Sequence, residues 1–353
     1  MTKDAWVEVD ERLGELAASG SFSGSALVTR GDEVLLETCH GWADRVHGEP
    51  IHPGTRFGLA SMCKMFTAAA VLDAVRRGEV AVGDRVVDVL PAQRRPSTLA
   101  DEVTVHHLLT HTSGIGDYAE EDEDLPHYVA DYGSLWVQRP CYAMERPDDF
   151  LPMYADLTPI GPPGGDFHYC NAGYVLLGAV LEQVTGTPFV DAVTERVLVP
   201  AGMADSGYLR SDEPAPDVAT GYLPRSSDDA PWRSNVFSVP VVGGGDGGAL
   251  ATARDIDRFL RAIKDCSLLG EEMTALMLTP YVPILEGLDM GYGVMLRSGG
   301  TFGHGGGDPG VNVLARHLGG RDLSLVLLCN DEDEDAFDQA WDALEAGVAA
   351  TAS

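Results

Sequence analysis

Lysine is nearly absent from this 353-residue chain. Lys3, Lys64 and Lys264 are its only lysines, against 55 aspartate and glutamate residues, and the formal net charge is −31 at pH 7. Such a field repels nucleic acid and anionic lipid, so neither is expected as a partner. The acidity could favour cationic ligands, but solubility is the simpler explanation, because the acidic residues cover the whole chain. The position of Lys64, three residues after a serine and at the start of an apolar segment, needs a separate explanation.

Long apolar runs are missing as well. No stretch of about 18 apolar residues occurs, so no segment is expected to span a membrane. Residues 1–20 are acidic and lack the apolar centre of a signal peptide, which predicts a cytoplasmic protein. Trp6, Val9, Leu13 and Leu16 recur there at the spacing of one face of an amphipathic helix.

Motifs for metal binding are absent too. The six cysteines form no C-x-x-C pair and show no zinc-finger spacing, so a cytoplasmic protein would keep them as thiols. No G-x-S-x-G surrounds a serine, which argues against the α/β-hydrolase fold. Neither a metal nor a cofactor is therefore expected.

The order of predicted elements is strands, then helices, then strands. A hairpin is predicted over residues 23–41 and a helix over 61–78, and helices with long loops follow to about residue 235. A T-x-x-D capping box at Thr252 predicts another helix there, and a last helix is expected over 335–350. Close-spaced strands separated by glycine turns are predicted between them, over residues 290–296, 300–306, 310–318 and 322–330.

This order predicts an α+β fold, in which helices flank one antiparallel sheet built from both chain ends. We expect residues 1–75 and 236–353 to form an α/β sandwich domain, and residues 76–235 an inserted, mostly helical domain.

The first candidate motif is Ser61-Met62-Cys63-Lys64. Side chains three residues apart lie on the same helix face, so the amine can approach the serine hydroxyl. A buried lysine has a lowered pKa and can act as a base, and the free N–H groups of a helix start favour an oxyanion. The alternative is a chance occurrence, since S-x-x-K is a common pattern.

The second candidate is Tyr169-Cys170-Asn171, directly before an apolar helix. A Y-x-N turn can project a phenol and an amide into a cleft, and a nearby positive charge lowers the pKa of a phenol. The alternative is a helix cap by Asn171 with a packed tyrosine.

The third candidate is the strand that carries His304 and the glycines Gly305, Gly306 and Gly307. Glycines on an edge strand let a substrate approach the backbone, and the N–H of Gly307 could stabilise an oxyanion. The alternative is a glycine bend with a surface histidine.

Taken together and in this order, the three motifs resemble those of the penicillin-binding-protein and serine β-lactamase superfamily. Its marks are S-x-x-K, then Y-x-N or S-x-N, then K-T-G. The similarity is strongest to the branch of class C β-lactamases, D-alanyl-D-alanine carboxypeptidases and family VIII esterases. It extends over roughly residues 20–330, and further segments that resemble this branch are 107–115, 163–174, 247–260 and 303–310.

The resemblance implies an α/β sandwich with a helical domain and a site between the two. Ser61 would be the nucleophile, and Lys64 and Tyr169 would deprotonate it and later activate water. Asn171 would position the lysine or a substrate carbonyl. The N–H groups of Ser61 and Gly307 would form the oxyanion hole.

The sequence departs from this superfamily at its third motif. His304 replaces the lysine that usually helps hold a substrate carboxylate, and Gly305 replaces the threonine. Histidine is charged only below about pH 6.5, so we expect weak penicillin hydrolysis and a rate on neutral esters that rises through about pH 6–7.5. Cys63 and Cys170 stand where serine is frequent. We expect them to pack near the site without forming a disulfide.

Four other features are given structural interpretations. The stretch 243–248, GGGDGG, could bind a nucleotide only within a parallel βαβ unit, which the following sequence does not support. Residues 331–335, DEDED, resemble a calcium loop but lack its glycine and suit a helix start. Residues 119–126 are expected to be a solvated loop, and His111 is expected to be structural.

The sequence thus predicts a serine hydrolase of small esters, amides or short peptides that works through an acyl-enzyme. A biosynthetic acyltransferase remains an alternative, because it uses the same intermediate but excludes water. A non-catalytic binding protein that keeps the fold is the alternative from another class. The substrate and the oligomeric state stay open.

Overall fold

This computed structural model describes residues 2–227 and 229–351. Several short 3₁₀ turns and one π-helical segment, Thr194–Leu198, connect its helices. The α-helices are α1 Thr2–Ala18, α2 Lys64–Arg76, α3 Val86–Val89, α4 Val105–Leu109, α5 Pro147–Tyr154, α6 Asn171–Thr185, α7 Phe189–Val193, α8 Ala253–Lys264, α9 Gly270–Met277 and α10 Glu334–Ala350.

Strands from both ends of the chain form one eight-stranded sheet in the order β2-β1-β14-β13-β12-β11-β10-β9, and every neighbouring pair is antiparallel. Three short two-stranded pairs, β3–β4, β5–β8 and β6–β7, lie outside it. The strands are β1 Gly24–Arg30, β2 Glu33–His40, β3 Trp42–Asp44, β4 Glu49–Pro50, β5 Phe57–Gly58, β6 Tyr222–Leu223, β7 Arg233–Ser234, β8 Leu250–Ala251, β9 Val282–Leu285, β10 Leu288–Met290, β11 Met295–Arg297, β12 Thr301–Asp308, β13 Val311–Leu318 and β14 Leu323–Cys329.

Both faces of the sheet are covered by helices. Strand β14 is buried along its whole length, as expected for a strand with a layer on each side. Its Leu325 and Leu327 face the cluster formed with α1 and α10, whereas Val326 and Leu328 face the larger core with α2 and α8. The predicted α+β sheet from both chain ends, flanked by helices, is therefore confirmed.

Helix α6 forms the centre of the helical region. All its residues from Asn171 to Glu182 are buried, because α2, α4, α5 and α7 pack around it. It ends at Gly186, whose left-handed φ of 67° is readily adopted only without a side chain. Helix α2 packs on α6, and the 3₁₀ turn just before α2 packs on β12 and β13, so Lys64 at the start of α2 and Asn171 at the start of α6 meet next to the sheet.

The helix predicted over 61–78 differs from the observed one at both ends. Residues Ala60–Cys63 form a 3₁₀ turn, and α2 begins only at Lys64. The helix ends at Arg76 because Gly78 adopts a φ of 72°, and the N–H of Glu79 bonds back to the carbonyl of Ala74.

The single strand predicted over 290–296 is wrong. A tight turn divides it between β10 and β11, with the N–H of Gly291 bonded to the carbonyl of Val294 and Gly293 at a φ of 67°. Strand β9 lies next to β10 and was not predicted. By contrast, α1 buries Trp6, Leu13 and their neighbours as its spacing indicated.

No helix among the described residues has both the length and the apolar character that a bilayer crossing demands. The division into domains at 75/76 and 235/236 stays a prediction. One continuous apolar cluster contains residues of both parts, from α2 and α6 to α8.

Candidate active site

Ser61 lies in the 3₁₀ turn between β5 and α2, and its side chain lines a cleft of about 860 Å³. The preceding Ala60 has a φ of 44°, a conformation that L-residues with a side chain rarely adopt. Two glycines hold this turn closely. A Cβ on Gly247 would lie 3.1 Å from the Ala60 carbonyl oxygen, and one on Gly306 would lie 2.9 Å from the Ser61 nitrogen. The turn is thus pressed between β12 and the segment before β8.

Lys64 is fully buried and makes three short hydrogen bonds. Its Nζ lies 2.9 Å from Ser61 Oγ, 2.7 Å from Asn171 Oδ1 and 2.7 Å from the carbonyl oxygen of Asp246. The amide and carbonyl oxygens can only accept, whereas the serine hydroxyl can also donate. A neutral amine therefore donates to the two carbonyls and keeps its lone pair for the Ser61 proton. Burial lowers the pKa of Lys64, which favours this neutral form.

Tyr169 lies over the same amine, with Lys64 Nζ 4.8 Å from its ring centroid, and its ring stacks on His111 at 4.6 Å. Burial raises the pKa of the Tyr169 phenol well above its ordinary value, and the hydrogen bond with Ser61 only partly opposes this. Neighbouring carboxylates add to the rise. The expected lowering of the Tyr169 pKa is therefore wrong, and the phenol stays protonated in the resting site.

Asn171 is the first residue of α6 and links the lysine to a buried carboxylate. Its Oδ1 accepts from Lys64, while its backbone N–H and Nδ2 donate to Asp117 Oδ2 at 2.8 and 3.2 Å. The N–H of Ala172 donates to Asp117 Oδ1 at 2.9 Å. Burial raises the pKa of Asp117 to about 6 in spite of these bonds. Asp117 thus caps α6 and orients the Asn171 amide toward Lys64.

Strand β12 forms one wall of the cleft. Strand β11 pairs only with Thr301–Gly303, so the edge of β12 from His304 to Asp308 is not covered by β11. Gly305, Gly306 and Gly307 line the cleft along this edge, opposite the Ser61 turn. An extended substrate can lie along such an edge and form backbone hydrogen bonds with it.

His304 lines the cleft but is only 2% exposed. Burial lowers its pKa to about 4, so the ring is neutral in the working range of most enzymes. Its Nδ1 lies 2.5 Å from the carbonyl of Gly305, and its Nε2 is buried without a partner among the described residues. The expectation that His304 changes charge between about pH 6 and 7.5 is therefore wrong.

Comparison with known proteins agrees with this arrangement of motifs. The sequence model of the Beta-lactamase family matches residues 9–350. The chain belongs to this family. The resemblance found from the three motifs is thereby confirmed.

Two curated relatives and one solved structure illustrate the range of the Beta-lactamase family. Esterase EstB of Burkholderia gladioli is 34% identical over 275 residues, which cover 72% of this chain and 68% of that protein. Penicillin-binding protein 4* of Bacillus subtilis is 27% identical over 350 residues, which cover 94% of this chain and 72% of that protein. A penicillin-binding protein of Bacillus halodurans, known from its crystal structure, has a TM-score of 0.85 at 35% identity, covering 95% and 99% of the two chains.

The cysteines next to the candidate residues have packing roles in this family member. Cys63 and Cys170 are free and buried, and burial raises the pKa of both thiols, that of Cys63 to about 12. The Cys63 sulfur accepts the N–H of Ala249, so it fixes the segment that follows the glycine-rich stretch. The predicted absence of a disulfide between Cys63 and Cys170 agrees with these free thiols.

Two acidic residues of the site are not predicted from the sequence. Asp246 belongs to the GGGDGG stretch, for which the sequence indicates no role in the site, yet its carbonyl oxygen binds Lys64 and its carboxylate accepts a hydrogen bond from Tyr118. Asp117 follows the segment 107–115 and has no distinctive spacing. The only sign in the sequence is the run of five glycines around Asp246. Such a run indicates that another part of the chain packs closely against this backbone, and the S-x-x-K motif is one such part.

The loop expected over 119–126 is only partly solvated. Ala119 and Glu120 are buried, and Glu120 Oε2 lies 2.8 Å from Nε2 of His168. His111 accepts the N–H of Cys170 on Nδ1 at 3.0 Å, which gives it the structural position expected for it. Asp333 begins α10 by accepting the N–H of Ala336 at 2.9 Å, as expected of the DEDED stretch. Among the described residues, no group of three or more His, Cys, Asp or Glu side chains is placed to hold a metal ion.

Proposed function

We propose that this chain is a hydrolase of small-molecule esters that forms an acyl-enzyme on Ser61. One observation carries the proposal: Lys64 Nζ lies 2.9 Å from Ser61 Oγ, while two carbonyl acceptors occupy its other directions. A buried amine in this setting is the base that a serine nucleophile needs. The similarity to an esterase over 72% of the chain supports an ester as the substrate.

Acylation begins when neutral Lys64 takes the proton of the Ser61 hydroxyl. The Ser61 oxygen attacks the ester carbonyl carbon, and the negative charge moves to the carbonyl oxygen. The N–H groups of Ser61 and Gly307, on the turn and on the open edge of β12, stabilise that oxyanion. As the tetrahedral intermediate collapses, the carbon–oxygen bond to the alcohol breaks and the Lys64 ammonium protonates the leaving alkoxide.

Deacylation repeats these steps with water as the nucleophile. Lys64 takes a proton from the water, hydroxide adds to the acyl carbon, and the bond to Ser61 breaks with return of the proton to Ser61 Oγ. Protonated Tyr169, beside both residues, acts as a hydrogen-bond donor to the Ser61 oxygen rather than as the first base. Asn171 and the Asp246 carbonyl hold the amine in place through both halves.

An ester is favoured over a penicillin because the cleft offers no cation for a carboxylate. Among the described residues that line it there is no arginine or lysine, and His304 is neutral. The usual lysine of the third motif is the group that this chain lacks. We therefore expect acylation by neutral esters to be much faster than acylation by penicillins.

The test is covalent labelling of Ser61 together with ester turnover. A fluorescent fluorophosphonate should label the wild type on Ser61 and leave Ser61→Ala unlabelled, with intact mass spectrometry as the readout. Lys64→Ala should slow both labelling and hydrolysis of 4-nitrophenyl butanoate by about 10²- to 10⁴-fold. Lys264→Ala removes a surface lysine paired with Asp265 and Asp322, and it should change neither rate.

Distinct results would support the alternatives. If the wild type takes up no probe and turns over no ester, the chain is a non-catalytic binding protein with this fold. If the acyl-enzyme forms, resists water and is released by added alcohols or amines, it is an acyltransferase. Equal labelling of the wild type and Ser61→Ala would show that the nucleophile lies elsewhere.

A further inference from the structure

The cleft around Ser61 is lined by carboxylates from separate parts of the chain. Glu121 and Asp131 come from the helical region, Asp308 from the end of β12, and Glu332 and Glu334 from the start of α10. None of the five forms an ion pair with a lysine, arginine or histidine in the part of the chain that the structure describes. Asp131 and Glu332 accept backbone N–H groups, from Gly133 and Gly310, but no cationic side chain of the described residues neutralises any of the five.

Of these five carboxylates, Glu121 and Asp308 are the two that act on the amine of Lys64. Both raise the pKa of Lys64, which shows that their charges act at its amine. Glu121 also raises the pKa of Asp308, which reaches about 7, with burial as the larger cause. The two side chains thus act on each other and on Lys64, and both line the cleft that contains Ser61. Two like charges that act on each other are stabilised when a cation lies between them.

Other polar atoms of the cleft are also left without protein partners. Nε2 of His304, a residue that lines the cleft, is buried and has no hydrogen-bond partner among the described residues. Asn312 also lines the cleft, and its Nδ2 has no hydrogen-bond partner among the described residues. Buried polar groups normally have a partner, so these atoms point to a ligand. Asn312 Nδ2 can only donate, so it fits an acceptor atom of that ligand and not a cationic group. This observation is independent of the carboxylates and lies in the same cleft.

We propose that the cleft selects substrates that carry a positive charge close to the acyl carbon, held between Glu121 and Asp308. The inference rests on the proposed function, since it names the class of ester that Ser61 attacks. A quaternary or primary ammonium group on the acyl part fits this chemistry, and a carboxylate on the same position is repelled. Attraction of the cation acts through space, so it requires only that the charge lie within a few ångströms of the pair.

A bound cation would also prepare the base. The carboxylates around Lys64 raise its pKa against the larger effect of burial, and a positive substrate opposes them. The pKa of Lys64 falls when such a substrate binds, so a larger fraction of the amine is neutral and ready to take the Ser61 proton. Binding and activation are thereby coupled: a cationic ester gains in kcat as well as in KM.

The overall acidity of the chain does not by itself produce this selectivity. Surface carboxylates on α1 lie on the far side of the sheet from α2, and at physiological ionic strength charges act over only about 8 Å. Glu8 is such a residue, exposed on α1. It offers a control in which the net charge changes by the same amount as at Glu121.

The experiment compares three 4-nitrophenyl esters of similar size. The acyl parts are 4-(trimethylammonio)butanoate, its uncharged analogue 5,5-dimethylhexanoate, and the glutarate half-ester with a free carboxylate. At about pH 8, where Asp308 with its pKa of about 7 is ionised, kcat/KM should be at least about tenfold higher for the cationic ester than for the neutral one. The glutarate ester should be the slowest.

Variants then test whether Glu121 is responsible for the preference for the cationic ester. Glu121→Gln should lower the ratio of cationic to neutral kcat/KM by about three- to tenfold, and Glu8→Gln should leave the ratio and both rates unchanged. Raising the salt concentration to about 0.5 M should lower the ratio in the wild type and much less in Glu121→Gln. If neutral esters are hydrolysed through Ser61 but the ratio is near one or is insensitive to Glu121→Gln, the inference is overturned while the proposed function stands.

A second measurement covers the case in which no ester is turned over and no probe labels Ser61. That result removes the proposed function. Calorimetry of Ser61→Ala with 4-(trimethylammonio)butanamide and with 5,5-dimethylhexanamide then tests the charge preference alone. Tighter binding of the cation, weakened by Glu121→Gln, would retain the site as a cation-binding cleft. Equal binding of the two amides would overturn it.

Discussion

The carbonyl oxygen of Asp246 accepts a hydrogen bond of 2.7 Å from Lys64, 182 residues earlier in the chain. This bond uses a backbone atom, so it depends on the path of the glycine-rich segment and not on the aspartate side chain. With Asn171 Oδ1 as the second acceptor, it leaves Lys64 one direction, toward Ser61. The geometry of Lys64, the proposed base, is therefore set by two separate elements, the start of α6 and the segment before β8.

The first prediction concerns the pH dependence of the base. Four carboxylates raise the pKa of Lys64 against the effect of burial: Asp246, Asp117, Glu121 and Asp308. Asp308→Asn removes one of them, so the Lys64 pKa falls and the neutral base exists at lower pH. We expect the acidic limb of kcat/KM for a neutral ester to move to lower pH by about half a unit. The effect should be largest above about pH 7, where Asp308 is ionised.

His304→Asn is the matched control on the same strand. His304 has a pKa of about 4 and is neutral over the limb, so its replacement should leave the position of the limb unchanged even where it alters the rate. A pH–rate series on the three proteins decides the matter. If His304→Asn moves the acidic limb of kcat/KM and Asp308→Asn does not, the histidine is the group whose titration sets the limb.

The second prediction concerns Asp117. Its carboxylate accepts three hydrogen bonds, from the backbone and side chain of Asn171 and from the N–H of Ala172. Asp117→Ala leaves these donors buried without a partner. It should lower the free energy of unfolding by about 2–4 kcal/mol and slow ester turnover as well, because the Asn171 amide loses its orientation.

Thr252→Ala provides the comparison, since Thr252 caps α8 away from the cleft. It should cost about 1 kcal/mol and leave kcat/KM unchanged. Urea unfolding measures the stabilities, and turnover is measured well below both transitions. Asp117→Ala protein that keeps full activity would show that Asp117 only caps the helix.

Much of the fold could be predicted because its patterns are local. The 3.6-residue spacing of Trp6 and Leu13 identifies α1, and the two β-rich runs on either side of Gly31 identify the hairpin of β1 and β2. The strand expected over 290–296 failed because Gly291 and Gly293 turn the chain within an otherwise strand-like composition. Strand β9 is short and half exposed, and no periodicity distinguishes it from a loop.

The site was predictable only where side chains follow a fixed spacing. Ser61 and Lys64 are brought together by a turn of 3₁₀ and α-helix, and Asn171 by the start of α6. The contact with Asp246 could not be predicted, because a backbone carbonyl carries no residue signature. The pKa of Tyr169 is raised where a lowering was expected, and that of His304 is lowered where its ordinary value was expected, because both depend on burial by distant elements.

The third prediction concerns the cysteines. Thiolates are the reactive form, and burial raises the pKa of Cys63 to about 12 and that of Cys170 well above its ordinary value. Iodoacetamide near pH 8 should therefore modify the half-exposed Cys39 and Cys266 first and leave turnover unchanged. Peptide mapping against residual activity makes the comparison. Loss of activity in step with alkylation of Cys170 would show that this thiol opens to the cleft.

The last prediction concerns two neighbouring glycines of β12. A Cβ on Gly306 would lie 2.4 Å from the carbonyl oxygen of Leu59 and 2.9 Å from the nitrogen of Ser61, both backbone atoms, so Gly306→Ala must displace the nucleophile turn. A Cβ on Gly305 points to the other face, where its nearest contact is 3.3 Å, to the carbonyl oxygen of Val313.

Because displacing a reacting atom by about 1 Å can cost about a hundredfold in rate, Gly306→Ala should lower kcat/KM and fluorophosphonate labelling by about that factor. Gly305→Ala should have an effect several times smaller on both, and melting temperatures measured in parallel show how much of either change is general destabilisation. Equal losses in the two variants would mean that the strand as a whole, and not the contact of Gly306 with the Ser61 turn, positions the nucleophile.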